Sequence, residues 1–186
     1  MSADPHVFVV DVEDEPGVLT RVSSLFRRRA FNIVSLTVGV TEQPGISRMT
    51  IVVDAPDVAA RRIEACLWKL VNVIRVEDVT GAAAVRRELV IVKVSADTEA
   101  RTHVMKLAEV FRARVIDVSS DSLILESTGT GDKIAGLLDV LRPFGVLEVA
   151  RSGNVAMLRG TRPADTRVSA EAEDAPAHDA NVSYSV

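Results

Sequence analysis

Residues 7–38 read VFVVDVEDEPGVLTRVSSLFRRRAFNIVSLTV, and the changes of period inside that stretch decide the fold. Over 7–12, Phe8, Val10 and Val12 recur every second residue, as one face of a strand does. Asp14-Glu15-Pro16-Gly17 breaks the alternation. That turn also carries helix-start residues, an Asp that can cap and a Pro suited to the first turn. Val18, Leu19, Val22, Leu25 and Phe26 then fall at helical spacing, with Thr20, Arg21, Ser24, Arg27 and Arg28 opposite. From 33 to 41 alternation returns, carried by Val34, Leu36, Val38 and Val40.

Working outward, Gln43-Pro44-Gly45 predicts a hairpin loop and 47–54 a returning strand. Ile63, Cys66, Leu67 and Leu70 form a second helical stripe, and 71–77 closes the unit as a strand. The second half repeats the order. Strand 88–94 precedes a helix face of Ala100, Val104, Leu107, Ala108 and Phe111. A tight hairpin joins 114–119 to 122–127, then come the stripe Ile134, Leu137, Leu138, Leu141 and the strand 145–150. The expectation is α+β: two tandem βαββαβ units joined by 80–85, each a four-stranded antiparallel sheet with both helices on one face. The other face of the first sheet, with Ser35, Thr37 and Gly39, then needs water or a partner.

Composition changes near Gly160. Residues 161–186 hold two arginines against five acidic side chains and almost no large aliphatics, so a disordered C-terminal tail is expected. The 186-residue chain is 47% hydrophobic with a net charge of −4, enough apolar surface for a core and no basic excess for nucleic acid. The predicted central strands offer only Phe8 for base stacking, which argues further against RNA. No apolar run approaches the roughly 20 residues that cross a bilayer. The polar start MSADPH is unlike a signal peptide, so a cytoplasmic location is expected, with no membrane partner.

Reactive chemistry is hard to find. Cys66 lies on an apolar helix face and reads as a small core residue. His6 and His178 fall in the expected frayed ends, His103 stands beside the Val104 stripe, and no two histidines share a ligand spacing. Gly129-Thr130-Gly131-Asp132-Lys133 departs from a phosphate loop, with Thr130 or Asp132 a natural helix cap. Arg27-Arg28-Arg29 suits a helix C-terminus. With no acid, base or nucleophile set, a non-catalytic chain with no metal and no cofactor of its own is expected. The remaining candidate is the Asp14–Leu19 turn, where backbone N–H groups at a helix start can receive a small carboxylate. From those residues alone an ordinary capped strand-to-helix turn is the favoured reading.

The D-E-P-G-V-L turn (14–19) resembles the loop of ACT domains, which recurs in many amino-acid sensors. In combination with FNIVSLTV (31–38), SRMTIVV (47–53), LWKLVNV (67–73), RELVIVKV (87–94), FRARVIDV (111–118) and EVARSG (148–153), the chain resembles the regulatory small subunits of acetohydroxyacid synthase, also called acetolactate synthase. The resemblance runs over about 7–160. It implies two ferredoxin-like units: an ACT domain over 5–80 that binds effector, and an ACT-like domain over 86–160. It implies a homodimer through the ACT domains and a catalytic large subunit as partner. That partner would carry the thiamine diphosphate, Mg and FAD.

The implied role is to activate that subunit and confer feedback inhibition by valine, or another branched-chain amino acid, in valine and isoleucine biosynthesis. Residues matching Asp14, Gly17, Val18 and Asn32 would belong to the effector site, with Leu19 and Ile33 as apolar wall. Amides of Gly17 and Val18 suit the effector's carboxylate, Asp14 and the Asn32 carbonyl its ammonium, and Asn32 would come from the neighbouring subunit. Two residues depart from the family pattern: Ala30 stands where Gly is usual, and Val34 where Glu is. A free-standing ACT-type amino-acid sensor is the competing reading, and it would share only the first unit. An enzyme of the same topology would need the missing acid–base set.

Overall fold

The computed structural model describes residues 5–160; the tail expected over 161–186, with His178, lies outside them. The first unit runs β1 (His6–Glu13), α1 (Val18–Arg28), β2 (Ile33–Val40), β3 (Ile46–Val53), α2 (Asp57–Leu67) and β4 (Val73–Asp78). Its sheet is antiparallel in the order β2-β3-β1-β4. Phe8, Val10 and Val12 point to the helices, and with Met49, Ile51, Val53, Val22, Phe26, Ile63 and Leu67 they form the core. Cys66 belongs to the same cluster.

The second unit repeats the pattern: β5 (Ala84–Ser95), α3 (Thr98–Val110), β6 (Arg114–Val118), β7 (Ser122–Gly129), α4 (Gly131–Leu141) and β8 (Val146–Arg151). A 3-10 turn at Arg142–Phe144 leads into β8. Strand order is β6-β7-β5-β8, and Val90, Val92, Leu123, Leu125, Ile134, Leu137 and Leu141 fill its core. Thr130 caps α4 as expected, accepting from the Lys133 amide.

Three expectations are corrected. His6 is not in a frayed end: it opens β1, is buried, and places Nδ1 2.9 Å from Asp78 and Nε2 3.2 Å from Asp57, the first residue of α2. Asp14 does not cap α1; the helix starts at Val18, after Pro16, with Gly17 as its N-cap. Residues 84–87 are strand rather than linker, because they pair with a short strand that periodicity did not reveal, β9 (Val155–Leu158). The open face of the first sheet finds part of its cover within the chain itself. Ala156 packs there with Val7, Val9, Val52 and Val79, a small third core shared by the two units.

The His6 cluster has a pH signature. Burial alone would raise the Asp78 carboxyl, but hydrogen bonds from the Thr80 hydroxyl and amide and from His6 outweigh it and hold the carboxyl below its usual range. A depressed carboxylate stabilises the fold above its unfolded pKa of about 3.9, and that contribution is lost as pH falls through the lower folded value. Asp78→Asn removes this dependence. Urea unfolding of the variant should therefore show a shallower loss of stability below about pH 4 than the wild type. Parallel curves would assign the acid limb to other groups.

Candidate functional site

The loop between β1 and α1 is held from three directions. The Asp14 amide donates to the Gly45 carbonyl (2.8 Å), and the Ser47 hydroxyl donates to Asp14 Oδ1 (3.1 Å). The Glu13 amide donates to the carbonyl of Asn72 (2.9 Å). Buried Asn72 also donates through Nδ2 to Glu13 Oε2 at 2.6 Å and Glu15 Oε2 at 3.4 Å, and its Oδ1 accepts from Arg21 of α1. This one amide therefore ties the end of β1, the loop and the helix together. Nothing in LWKLVNV assigns Asn72 this task. The available signal was one amide in a run of apolar residues.

At the helix start itself, Gly17 holds φ at +90°, a conformation that side chains bearing Cβ rarely adopt. The turn is stabilised by Val18 N–H to Glu15 C=O (3.3 Å) and Arg21 N–H to Gly17 C=O (3.0 Å). The Val18 amide is therefore engaged, which amends its expected part in holding a carboxylate. The amides of Leu19 and Thr20 lie in the first turn, where a helix provides no acceptors, and α1 has no side-chain cap. By contrast, Asp97 caps α3, accepting from the Glu99 and Ala100 amides at 3.0 and 2.8 Å. The uncapped, exposed start of α1 thus concentrates the positive end of a helix with donors to spare.

Of the expected residues, Asp14, Gly17 and Leu19 are exposed around this bend. The Val18 side chain turns into the core. Ile33 also packs against the core, and Asn32 is exposed just before β2. Asn32 and Gly17 are not neighbours in one chain. Glu13 pairs with Ile46 and His6 with Val53, while Val53 pairs on its other side with Ile33. The bend and Asn32 therefore stand at opposite ends of the sheet, about 23 Å apart at ~3.3 Å per strand residue. One small ligand cannot touch both within one protomer.

Between those ends runs β2, an edge strand. It bulges between Ile33 and Ser35, so Val34 is set out of the ladder and exposed. Val38 and Val40 are also exposed, Val40 at 81%, on the side of the sheet that carries the helices. An open apolar edge of this kind is a template for pairing with a further strand. Ala30, in the turn before Asn32, takes φ +55°, the left-handed geometry that glycine accepts more easily.

Comparison with known proteins gives the family. Residues 8–75 match the model for the AHAS small subunit-like ACT domain, and residues 87–160 the model for the small subunit of acetolactate synthase. The chain belongs to the acetolactate synthase small-subunit family. The acetolactate synthase small subunit of Mycolicibacterium smegmatis is 50% identical over 157 residues, 84% of this chain and 92% of that one. The probable acetolactate synthase small subunit of Archaeoglobus fulgidus is 48% identical over 84% of this chain and 98% of its own. Among solved structures, the acetolactate synthase small subunit of Thermotoga maritima superposes with a TM-score of 0.78 at 38% identity, covering 86% of this chain and all of that one.

The second unit's match separates this family from a free-standing ACT sensor, which would share the first unit only. As a member of that family the chain is a regulatory small subunit and not the catalytic chain, which implies a catalytic subunit as partner. Among the described residues no helix is long and apolar enough to cross a membrane.

Proposed function

We propose that two copies of this chain pair through the β2 edges of their first sheets and hold a branched-chain amino acid, valine in the first instance, at the junction. In that complex the chain activates the thiamine-diphosphate-dependent catalytic subunit and makes it sensitive to feedback inhibition. Effector binding belongs to the unit spanning 5–80, and the second unit begins with β5 at Ala84.

The observation that carries this reading is the separation of the two halves of the site. The start of α1 offers N–H donors and positive potential for a carboxylate, with Asp14 near enough to accept from an ammonium. Exposed Leu19 supplies apolar surface beside them. Asn32 lies at the far end of the same sheet, so only a second copy can bring it to that ligand. A two-fold pairing of the edge strands sets the start of one β2 beside the end of the other and covers Val34, Val38 and Val40. A ligand clamped between copies favours the paired arrangement by its differential affinity, which is how occupancy becomes regulation.

Reconstitution with the catalytic subunit tests this. Acetolactate formation should rise when the chain is added and fall again with valine. Asn32→Ala should leave the activation intact and raise the valine needed for half inhibition by roughly tenfold, the loss of one good hydrogen bond to a charged group. Equal inhibition of variant and wild type would remove Asn32 from the site.

A further inference from the structure

The segment EVARSG (148–153), with β9 behind it, takes no part in the effector site, yet it makes most of the polar contacts between the two units. It leaves the second sheet anchored. The Arg151 guanidinium is bidentate on Glu88, through Nε at 2.5 Å and Nη2 at 2.8 Å, and Glu88 is only 3% exposed. Ser152 and Leu89 exchange two further bonds, Ser152 N–H to Leu89 C=O and Leu89 N–H to Ser152 Oγ, both 3.0 Å.

The chain then crosses the open face of the first sheet, on the edge strand β2. Thr37 Oγ1 donates to the Ser152 carbonyl at 3.2 Å, and the Asn154 amide donates to Ser35 Oγ at 3.4 Å. One strand further in, the Ala156 amide donates to Thr50 Oγ1 at 3.4 Å. Gly153 makes the crossing possible. Its φ is +81°, and a Cβ there would lie 3.0 Å from Thr37 Oγ1 and 3.2 Å from Ser35 Cβ and Oγ. A groove of about 360 Å³ lined by Val34, Ser35, Glu88, Arg151 and Asn154 lies between the units beside this crossing.

We infer that residues 151–158 are the coupling strap of the subunit: Gly153, Ser35 and Thr37 are positioning residues that make the second unit follow any movement of β2. The inference rests on the effector reading for what moves β2, since Asn32 begins that strand and Val34–Val40 line the proposed pairing edge. The coupling itself rests on the strap. The strap is anchored to the second sheet at Arg151 and Ser152 and bonded at Ser152 and Asn154 to the strand whose neighbours change, so a register or tilt change in β2 alters Ser152 and thereby Leu89 and the second sheet.

Two variants of the full chain test it. Gly153→Ala pushes the strap off β2, and Thr37→Val removes one bond at constant shape, so it carries the test if the first fails to fold. Trp68, the chain's single tryptophan, packs on the first core and reports the first unit, while far-UV circular dichroism reports both. In wild type the two signals should lose structure together in urea; in Gly153→Ala they should separate.

With the catalytic subunit present, valine for half inhibition should rise about tenfold in Gly153→Ala, and less in Thr37→Val, while calorimetric affinity of the small subunit alone stays within about twofold. Unchanged inhibition with coincident unfolding in both variants would overturn the inference. So would a calorimetric affinity that falls in step with inhibition, which would make the strap part of the binding site. Absence of valine heat from the wild type would sink the effector reading instead, and the strap would then be judged on the unfolding signals.

Discussion

Gly17→Asp should abolish measurable valine binding while the chain still folds. A Cβ at Gly17 meets open space, so nothing is displaced. The cost to folding is the left-handed backbone, about 1 kcal/mol, and aspartate tolerates that region better than most residues. The new carboxylate, however, brings a negative charge to the first turn of α1, at the positive end of the helix. A ligand carboxylate approaching the same amides meets a like charge and is held off its hydrogen bonds. At about 1.5–3 kcal/mol per charge-assisted bond, affinity should fall at least 100-fold. Calorimetry on the small subunit alone measures this directly, with thermal unfolding as the control. Unchanged affinity would place the carboxylate elsewhere.

Arg151→Ala should produce the largest loss of stability. Glu88 is buried and its carboxylate is satisfied by Arg151, whose guanidinium that same carboxylate keeps more firmly protonated than usual against the opposing effect of burial. Deleting the arginine strands a negative charge inside the second sheet. Breaking such a pair costs about 3–5 kcal/mol, and the half-exposed arginine, at 46%, places this case near the lower end because water can reach the gap. Urea unfolding at pH 7 should show it. Adding Glu88→Gln to Arg151→Ala should recover a good part of the loss by removing the stranded charge. A single variant no weaker than wild type by 1 kcal/mol or more would show that the pair is solvated rather than structural.

Much of the molecule was legible from residue order. The alternation at 88–94 and the helical stripes at Val18–Phe26 and Ile134–Leu141 each bury one face, which is what periodicity encodes, whereas β1 is buried on both faces and Val34, Val38 and Val40 of β2 stay exposed at the sheet edge. The turn at Asp14–Gly17 was recognisable as a helix start because only a few residue types suit one. Its details were not: Asp14 is drawn to Ser47 on a strand 33 residues away, and the cap falls to Gly17. Strand β9 was missed because VAML is short and its alternation merges with the polar stretch after Arg151; its burial depends on a sheet face belonging to the other unit. His6 looked like a chain-end residue because its two carboxylate partners are 51 and 72 residues away.

The sequence alone determined the two βαββαβ units and a glycine-bearing helix start with the chemistry to receive a carboxylate, since each depends on neighbours within a few residues. Only the tertiary structure decided that Gly17 and Asn32 stand at opposite ends of one sheet, that Asn72 holds the loop, and that residues 151–158 lie across β2. Those facts follow from strand register and sheet order, which are set by the packing of distant segments and leave no local pattern in the chain.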